Sequence, residues 1–313
     1  MNRLRLLHLS DLHIARRYSK FGSSSRKYIL EEIARFSYLR KKNIDGILIS
    51  GDIADFGKQH DLECAKEFIF SPPQIKSTKP WLNYYNRPTL QACEKPIILI
   101  PGNHDRFSIL CRPDIKMFDS IFFDSWKPIQ NRIQLTLLPN DKNYSLAVVS
   151  ADFCLRQIDD NSIIGGYLGQ GKVYGNRLAE LIRQTKKINS NSLAKVLWMV
   201  HFAPEFENHL ELSYIDKRYL KLIDSQRLIE AAKNLKVRHI FCGHIHYNKN
   251  PFNAGDSTDA CWIHYAGTAA CHKDMDGYES SVYIREIDGS NRNNVKVKSL
   301  PFIWNSKEGK FLI

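Results

Sequence analysis

Five apolar runs in this sequence are each followed at once by side chains that bind metals. Leu4–Leu9 leads through Ser10 to Asp11, Leu12 and His13, and Ile44–Ser50 leads to Gly51 and Asp52. Ile97–Ile100 leads through Pro101 to Gly102, Asn103, His104 and Asp105. Val196–Val200 ends on His201, and His239–Cys242 leads to Gly243, His244, Ile245 and His246. The candidate metal donors are Asp11, His13, Asp52, Asn103, His201, His244 and His246. Oxygen and imidazole donors suit Mn²⁺, Fe²⁺/Fe³⁺ or Zn²⁺ better than a thiolate zinc site or an all-oxygen calcium site. This set is too large for one tetrahedral ion and suffices for two if one carboxylate bridges. Two ions ~3.5–4 Å apart can polarise a phosphoryl oxygen and generate hydroxide at neutral pH. The glycines at 51, 102 and 243 fit turns where backbone passes close to such a site.

Those donors need strands to deliver them. In an open α/β sheet the carboxyl ends of the strands line the ligand crevice, so side-by-side runs would bring the donors together. Between the runs lie stretches with helical spacing: about 26–42, 61–70, 177–188 and 228–235. Leu146–Ser150 reads as a further strand. The tail changes character, with strands expected at Trp262–Ala266, Ser281–Ile287 and Val295–Lys298. Alternating elements followed by a strand-rich tail predict an α/β fold, a four-layer α/β/β/α sandwich of two mixed sheets flanked by helices. No Gly/Ser or Pro linker divides the chain, so residues 1–313 read as one domain with a strand-rich part from about 262. About 71–95 is an inserted loop, rich in proline and carrying Trp81, Tyr84 and Tyr85, which reads as packed onto the body rather than as a base-stacking cap.

Composition narrows the partners. The chain has 45 Lys plus Arg against 33 acids, a net charge of +12 that favours an anionic partner such as a phosphoester and leaves nucleic acid open. The basic residues are dispersed, so an ordinary solvated surface explains the charge equally well. No apolar run reaches the ~20 residues of a membrane span. Seven scattered cysteines without a CxxC pair point to thiols in a reducing, cytoplasmic setting. The six remaining histidines (His8, His60, His209, His239, His264 and His272) read as core or surface residues. The stripe Met117, Phe118, Ile121, Phe122 and Trp126 reads as a core-facing helix. The glycine-rich stretch 163–175 reads as a loop, and Arg16, Arg17 and Lys20 fit either a phosphate contact or solvent.

The ordered blocks Asp-x-His, Gly-Asp, Gly-Asn-His-Asp, His and Gly-His-x-His resemble the calcineurin-like metallophosphoesterase superfamily over about Leu4 to His246. The resemblance implies that fold and a phosphoester hydrolase. It implies Asp11, His13 and His246 on one metal, Asn103, His201 and His244 on the second, and Asp52 as the bridge. It also implies His104 as general acid or cationic stabiliser, Asp105 as its orienting carboxylate, and a hydroxide nucleophile generated at the metals. Within the superfamily the DLH opening and the full Gly-Asn-His-Asp block are most similar to class III cyclic-nucleotide phosphodiesterases. The fourth block departs from them, with the single His201 followed by Phe202, Ala203 and Pro204. A nucleotide-type or other phosphodiester is therefore the expected substrate. A DNA nuclease, a lipid-A-precursor pyrophosphatase and a metal-binding scaffold without activity are the alternatives.

Overall fold

The computed structural model describes residues 3–15, 23–74, 77–107, 115–138, 145–154, 170–191, 194–205, 220, 222–246, 251–254, 260–270, 279–290 and 295–313. Arg16, Arg17, Lys20, His209, His272 and the glycine-rich residues 163–169 lie outside them. The strands are β1 (Arg3–Leu9), β2 (Gly46–Ile49), β3 (Ile97–Leu99), β4 (Ile133–Leu138), β5 (Leu146–Ala151) and β6 (Lys195–Val200). They continue with β7 (His239–Cys242), β8 (Phe252–Asn253), β9 (Trp262–Tyr265), β10 (Ser281–Asp288), β11 (Lys296–Asn305) and β12 (Lys310–Leu312). The helices are α1 (Ser23–Leu39), α2 (Gln59–Phe70), α3 (Asn103–Arg106), α4 (Ile115–Ile121), α5 (Gly175–Asn191) and α6 (Ser225–Asn234). No helix among the described residues is long and apolar enough to cross a membrane.

The strands form two mixed sheets, one in the order β12-β11-β10-β1-β2-β3 and the other β4-β5-β6-β7-β9-β8. Side-chain alternation shows how they stack. Leu146 and Val148 of β5, Leu197 and Met199 of β6 and Phe241 of β7 join the apolar cluster built on the first sheet with α1 and α2. Their neighbours Ala147, Val149, Trp198, Val200 and Ile240 join a second cluster with α5 and α6. A period of two that feeds two cores is the mark of a strand covered on both faces. The helices therefore flank two packed sheets, as expected. The strand-rich tail serves both sheets: β9 pairs parallel with β7, whereas β10 pairs antiparallel with β1. Phe118, Phe122 and Trp126 are buried in the first core, and Met117 and Ile121 pack against it.

Four strands were not anticipated in full; β8 and β12 have only two and three residues, too few to show a pattern. β4 is an edge strand with Leu137 exposed, so its apolar pattern is diluted. β11 runs seven residues past the expected Val295–Lys298, through Pro301. Pro301 pairs inward with Tyr283, while β12 covers β11 only at Ile303–Asn305. The proline thus sits where the outer edge needs no N–H, a position strands tolerate. In the connection 71–95, Trp81 packs against the first core with Tyr38 6.2 Å away, and Tyr84 and Tyr85 are exposed.

Candidate metal centre

The turns after β1, β2, β6 and β7, together with α3 after β3, meet at the shared end of the two sheets. Asp11, His13, Asp52, His244 and His246 all adopt left-handed backbone, with φ between 45° and 70°. Each such non-glycine residue costs of order 1–3 kcal/mol and persists only where surrounding bonds over-determine it. Those bonds are present: Asp11 N–H donates to Gly51 O at 3.0 Å, His13 N–H to Asp52 O at 3.1 Å, and His244 N–H to Asp11 Oδ2 at 3.0 Å. The glycines are required by contact. A Cβ on Gly51 (φ +103°) would lie 2.4 Å from His201 Nδ1, and one on Gly102 would lie 2.2 Å from Asp52 Oδ1.

All seven expected donors gather here. Asp11, His13 and His246 form one group whose donor atoms lie within 4.8 Å of one another. Asp52, His201 and His244 form a second on the same criterion. His246 Nε2 is 3.1 Å from Asp11 Oδ1. His201 Nε2 is 3.3 Å from Asp52 Oδ2 and 2.9 Å from Asn103 Oδ1, which brings Asn103 into the second group. The bond from His201 Nδ1–H to the Ser50 carbonyl, at 2.8 Å, fixes the ring and turns Nε2 inward. The same arrangement orients imidazoles at metal sites.

The electrostatics follow from burial and pairing. Burial opposes ionisation of Asp52, but His201 and His104 beside it hold its carboxyl well below the ordinary range. Burial likewise opposes the charge on Asp11, and His246 overcomes it. Burial, then the neighbouring His104, drives His13 down; burial, then His201, drives His244 down to about 3. Two anionic carboxylates thus stand beside neutral His13 and His244. Burial opposes charge on His201 and His246, but Asp52 raises His201 to about 9 and Asp11 raises His246. Metal ligation requires neutral imidazoles, so a cation at each group would take the place of those two protons. The fit is supported by an independent feature. His13 Nε2 and His244 Nε2 are buried without a hydrogen-bond partner, one in each group. A buried unpaired imidazole nitrogen costs about 1–3 kcal/mol, and a cation in each group would satisfy both. The donor set therefore fits two metal ions.

His104 and Asp105 occupy the first turn of α3. Asp52 Oδ1 accepts the His104 N–H at 2.7 Å, so the carboxylate of the second group also caps this helix. The expected contact from Asp105 to the His104 ring is not the one found. Asp105 instead accepts backbone N–H groups from Gly102, Ala54 and Ile53 at 2.8, 2.8 and 3.1 Å. It ties the Gly102 turn to the segment after Asp52. Burial and nearby Asp52 push its carboxyl up to about 7 against the pull of these donors. The His104 ring is held by Asp55, whose carbonyl accepts the Nδ1–H at 2.8 Å. The Asp55 carboxylate lies 3.6 Å from His13 Nδ1 and 3.6 Å from Arg26 Nη1. Sequence reading missed Asp55 and Arg26. The position of Asp55 three residues past Asp52 was the available signal, and Arg26 had none.

A sequence model of the calcineurin-like phosphoesterase family matches residues 4–248, and the chain belongs to that family. It is a phosphoester hydrolase, with clustered His and Asp residues suited to metal binding. One relative, from Arcobacter nitrofigilis, is the probable glycerophosphodiester phosphodiesterase GpdQ. It is 26% identical over 247 residues, covering 77% of this chain and 71% of the relative. Among solved structures, purple acid phosphatase PPD1 from yellow lupin matches 99% of this chain and 52% of its own, with TM-score 0.58 and 10% identity. The calcineurin-like phosphoesterase YfkN of Bacillus subtilis matches 96% of this chain and 90% of its own, with TM-score 0.47 and 14% identity.

Proposed function

We propose that the protein is a dinuclear-metal phosphodiesterase. Asp11, His13 and His246 would hold one ion, Asn103, His201 and His244 would hold the other, and Asp52 would serve both. The observation that carries the reading is that two of the three-residue donor groups among the described residues, Asp11/His13/His246 and Asp52/His201/His244, lie side by side and each contain one buried unpartnered imidazole nitrogen. Bound there, two divalent ions such as Mn²⁺, Fe²⁺ or Zn²⁺ would supply Lewis acidity toward the phosphoryl oxygens and acidify an attacking water. The rest is done by the chain. The Asp55 carbonyl accepts only a donor, so it keeps a proton on His104 Nδ1 and orients the ring. In its cationic form His104 then offers its Nε2 proton to the departing alkoxide and offsets charge building on the phosphoryl group. Asp105 acts at one remove, by fixing the backbone on which Asn103 and His104 stand. The diester class is favoured by the relative named as a glycerophosphodiester phosphodiesterase.

The test is a Mn²⁺-supplemented screen with an EDTA control on bis(p-nitrophenyl) phosphate, p-nitrophenyl phosphate, cyclic nucleotides, glycerophosphodiesters, DNA and nucleotide-linked lipids. Turnover of diesters above monoesters, abolished by chelator, is expected. Two tightly bound ions without turnover of any ester would leave a metal-binding scaffold instead.

A further inference from the structure

A cavity of about 400 Å³ lies against Ile14 and Ala15, the two residues that follow His13. Its volume falls in the range of small-molecule sites, about 300–1,000 Å³. Leu30 of α1 and Phe68 of α2 give it a buried apolar wall, and partly exposed Cys64 stands beside them. Charge is found at its exposed end, on Lys27, Glu67 and Arg87. Glu67 is already engaged: Oε2 accepts from Arg87 Nη1 at 2.5 Å and Oε1 from Asn83 Nδ2 at 3.1 Å. Lys27 is therefore the uncompensated charge among the described lining residues. The residue before Lys27 reaches the candidate metal centre. Arg26 Nη1 donates to the His13 carbonyl at 3.3 Å and lies 3.6 Å from the Asp55 carboxylate.

We propose that this cavity receives the retained alcohol group of the phosphodiester, and that the group is apolar or aromatic with a negatively charged or hydrogen-bond-accepting end that meets Lys27. The proposal rests on the phosphodiesterase reading. An alcohol as polar as glycerol would leave the faces of Leu30 and Phe68 uncovered and gain nothing from them. An aryl group would bury that surface, a gain roughly proportional to the apolar area removed from water. A carboxylate or acceptor at its far end would pair with the ammonium of Lys27. Selectivity among diesters would then lie in α1, α2 and the connection around Arg87, not in the metal donors.

The experiment compares methyl, phenyl and 4-carboxyphenyl p-nitrophenyl phosphates, which release the same nitrophenol. Cys64→Trp fills the cavity and Lys27→Glu reverses the charge. Cys64→Trp should raise KM for the phenyl diester at least tenfold and leave kcat/KM for the methyl diester within about twofold. Lys27→Glu should raise KM for the carboxyphenyl diester several-fold more than for the phenyl one. Alkylation of Cys64 by iodoacetamide, read by peptide mass mapping, gives an answer without turnover: phenylphosphonate should slow it at least fivefold. Equal effects of both substitutions on all three diesters, with no protection of Cys64, would overturn the proposal. Protection of Cys64 without hydrolysis of any diester would support the cavity and remove the phosphodiesterase reading. If Cys64→Trp does not fold, the Lys27→Glu and alkylation arms decide.

Discussion

Asp52 Oδ2 lies 3.3 Å from His201 Nε2, although the two residues follow strands of different sheets. Asp52 extends β2 of the first sheet and His201 extends β6 of the second. The other oxygen of the same carboxylate caps α3 through the His104 N–H. The Asp52 carbonyl accepts the His13 N–H. One residue thus joins both sheets, both donor groups and the helix that carries His104.

Replacing Asp52 by Asn tests this sharing. Asn tolerates left-handed backbone and still offers Oδ1 to the His104 N–H, so the turn should survive. The lost negative charge should weaken both ions, each by at least ~10–100-fold, the range seen for substitutions just outside a metal's own donors. Metal content after dialysis, measured alongside Mn²⁺ titration, gives the answer. Two ions bound as tightly as in the parent would exclude a bridging role.

His104→Ala separates chemistry from metal binding. The ring meets the Asp55 carbonyl through Nδ1, and none of its ring atoms belongs to either three-residue donor group proposed to hold an ion. The rate on a diester should fall by roughly 10²–10⁴, the scale of general acid–base catalysis. Metal content should stay near that of the parent. An equal fall in bound metal would mean that His104, which also forms a group with His13 and Asp55, holds an ion itself.

The residues that converge at the shared end of the sheets were legible because strand interiors are apolar and each run stops at a polar residue. β1, β2 and β7 are buried almost throughout, so their ends stand out against Asp11, Asp52 and His244. The second layer around these residues was not legible. Asp105 looked like the partner of His104 because it is adjacent in sequence, yet helical geometry turns its carboxylate back to the Gly102 N–H. Arg106 and Asp152 are 46 residues apart and carry no spacing signal. The edge character of β4 and the proline in β11 hid strands that tertiary pairing makes tolerable.

Arg106 closes α3 and is 1% exposed, with Nη2 2.7 Å from Asp119 Oδ1 and 2.9 Å from Asp152 Oδ2. Arg132 Nη1 also reaches Asp152 Oδ2, at 2.9 Å. Burial disfavours charge on Asp152, but Arg106, Arg132 and Arg177 hold its carboxyl far below the ordinary range. Arg106→Leu would leave these acids facing each other with part of their compensation gone. Breaking a buried pair costs about 3–5 kcal/mol, which urea unfolding would register. Activity should fall with it, because α3 carries Asn103 and His104. Arg106→Lys should restore only part, since an ammonium cannot reproduce the guanidinium fork. A change below about 1 kcal/mol in Arg106→Leu would show that the network is dispensable.

His239 gives the fold a defined acid sensitivity. It is 4% exposed; its Nε2–H donates to the Val295 carbonyl at 2.8 Å, and its Nδ1 faces His264 Nε2 at 2.9 Å. Burial pulls His239 down to about 4 against the help of that carbonyl, and burial and His239 lower His264 as well. A proton on His239 Nδ1 would point at the neighbouring ring, with the Arg285 guanidinium also close to His264. In the unfolded chain His239 titrates near 6.5, so between about pH 6.5 and 4 the unfolded state binds more protons. Its contribution to stability is therefore complete above pH 6.5 and lost as pH falls toward 4, at ~1.4 kcal/mol per unit and about 3 kcal/mol in all. His239→Gln should be less stable than the parent at pH 7.5, with a gap that narrows by up to that amount by pH 4.5. Urea unfolding at pH 7.5, 5.5 and 4.5 measures the gap, and parallel curves for the two proteins would remove His239 as the sensor.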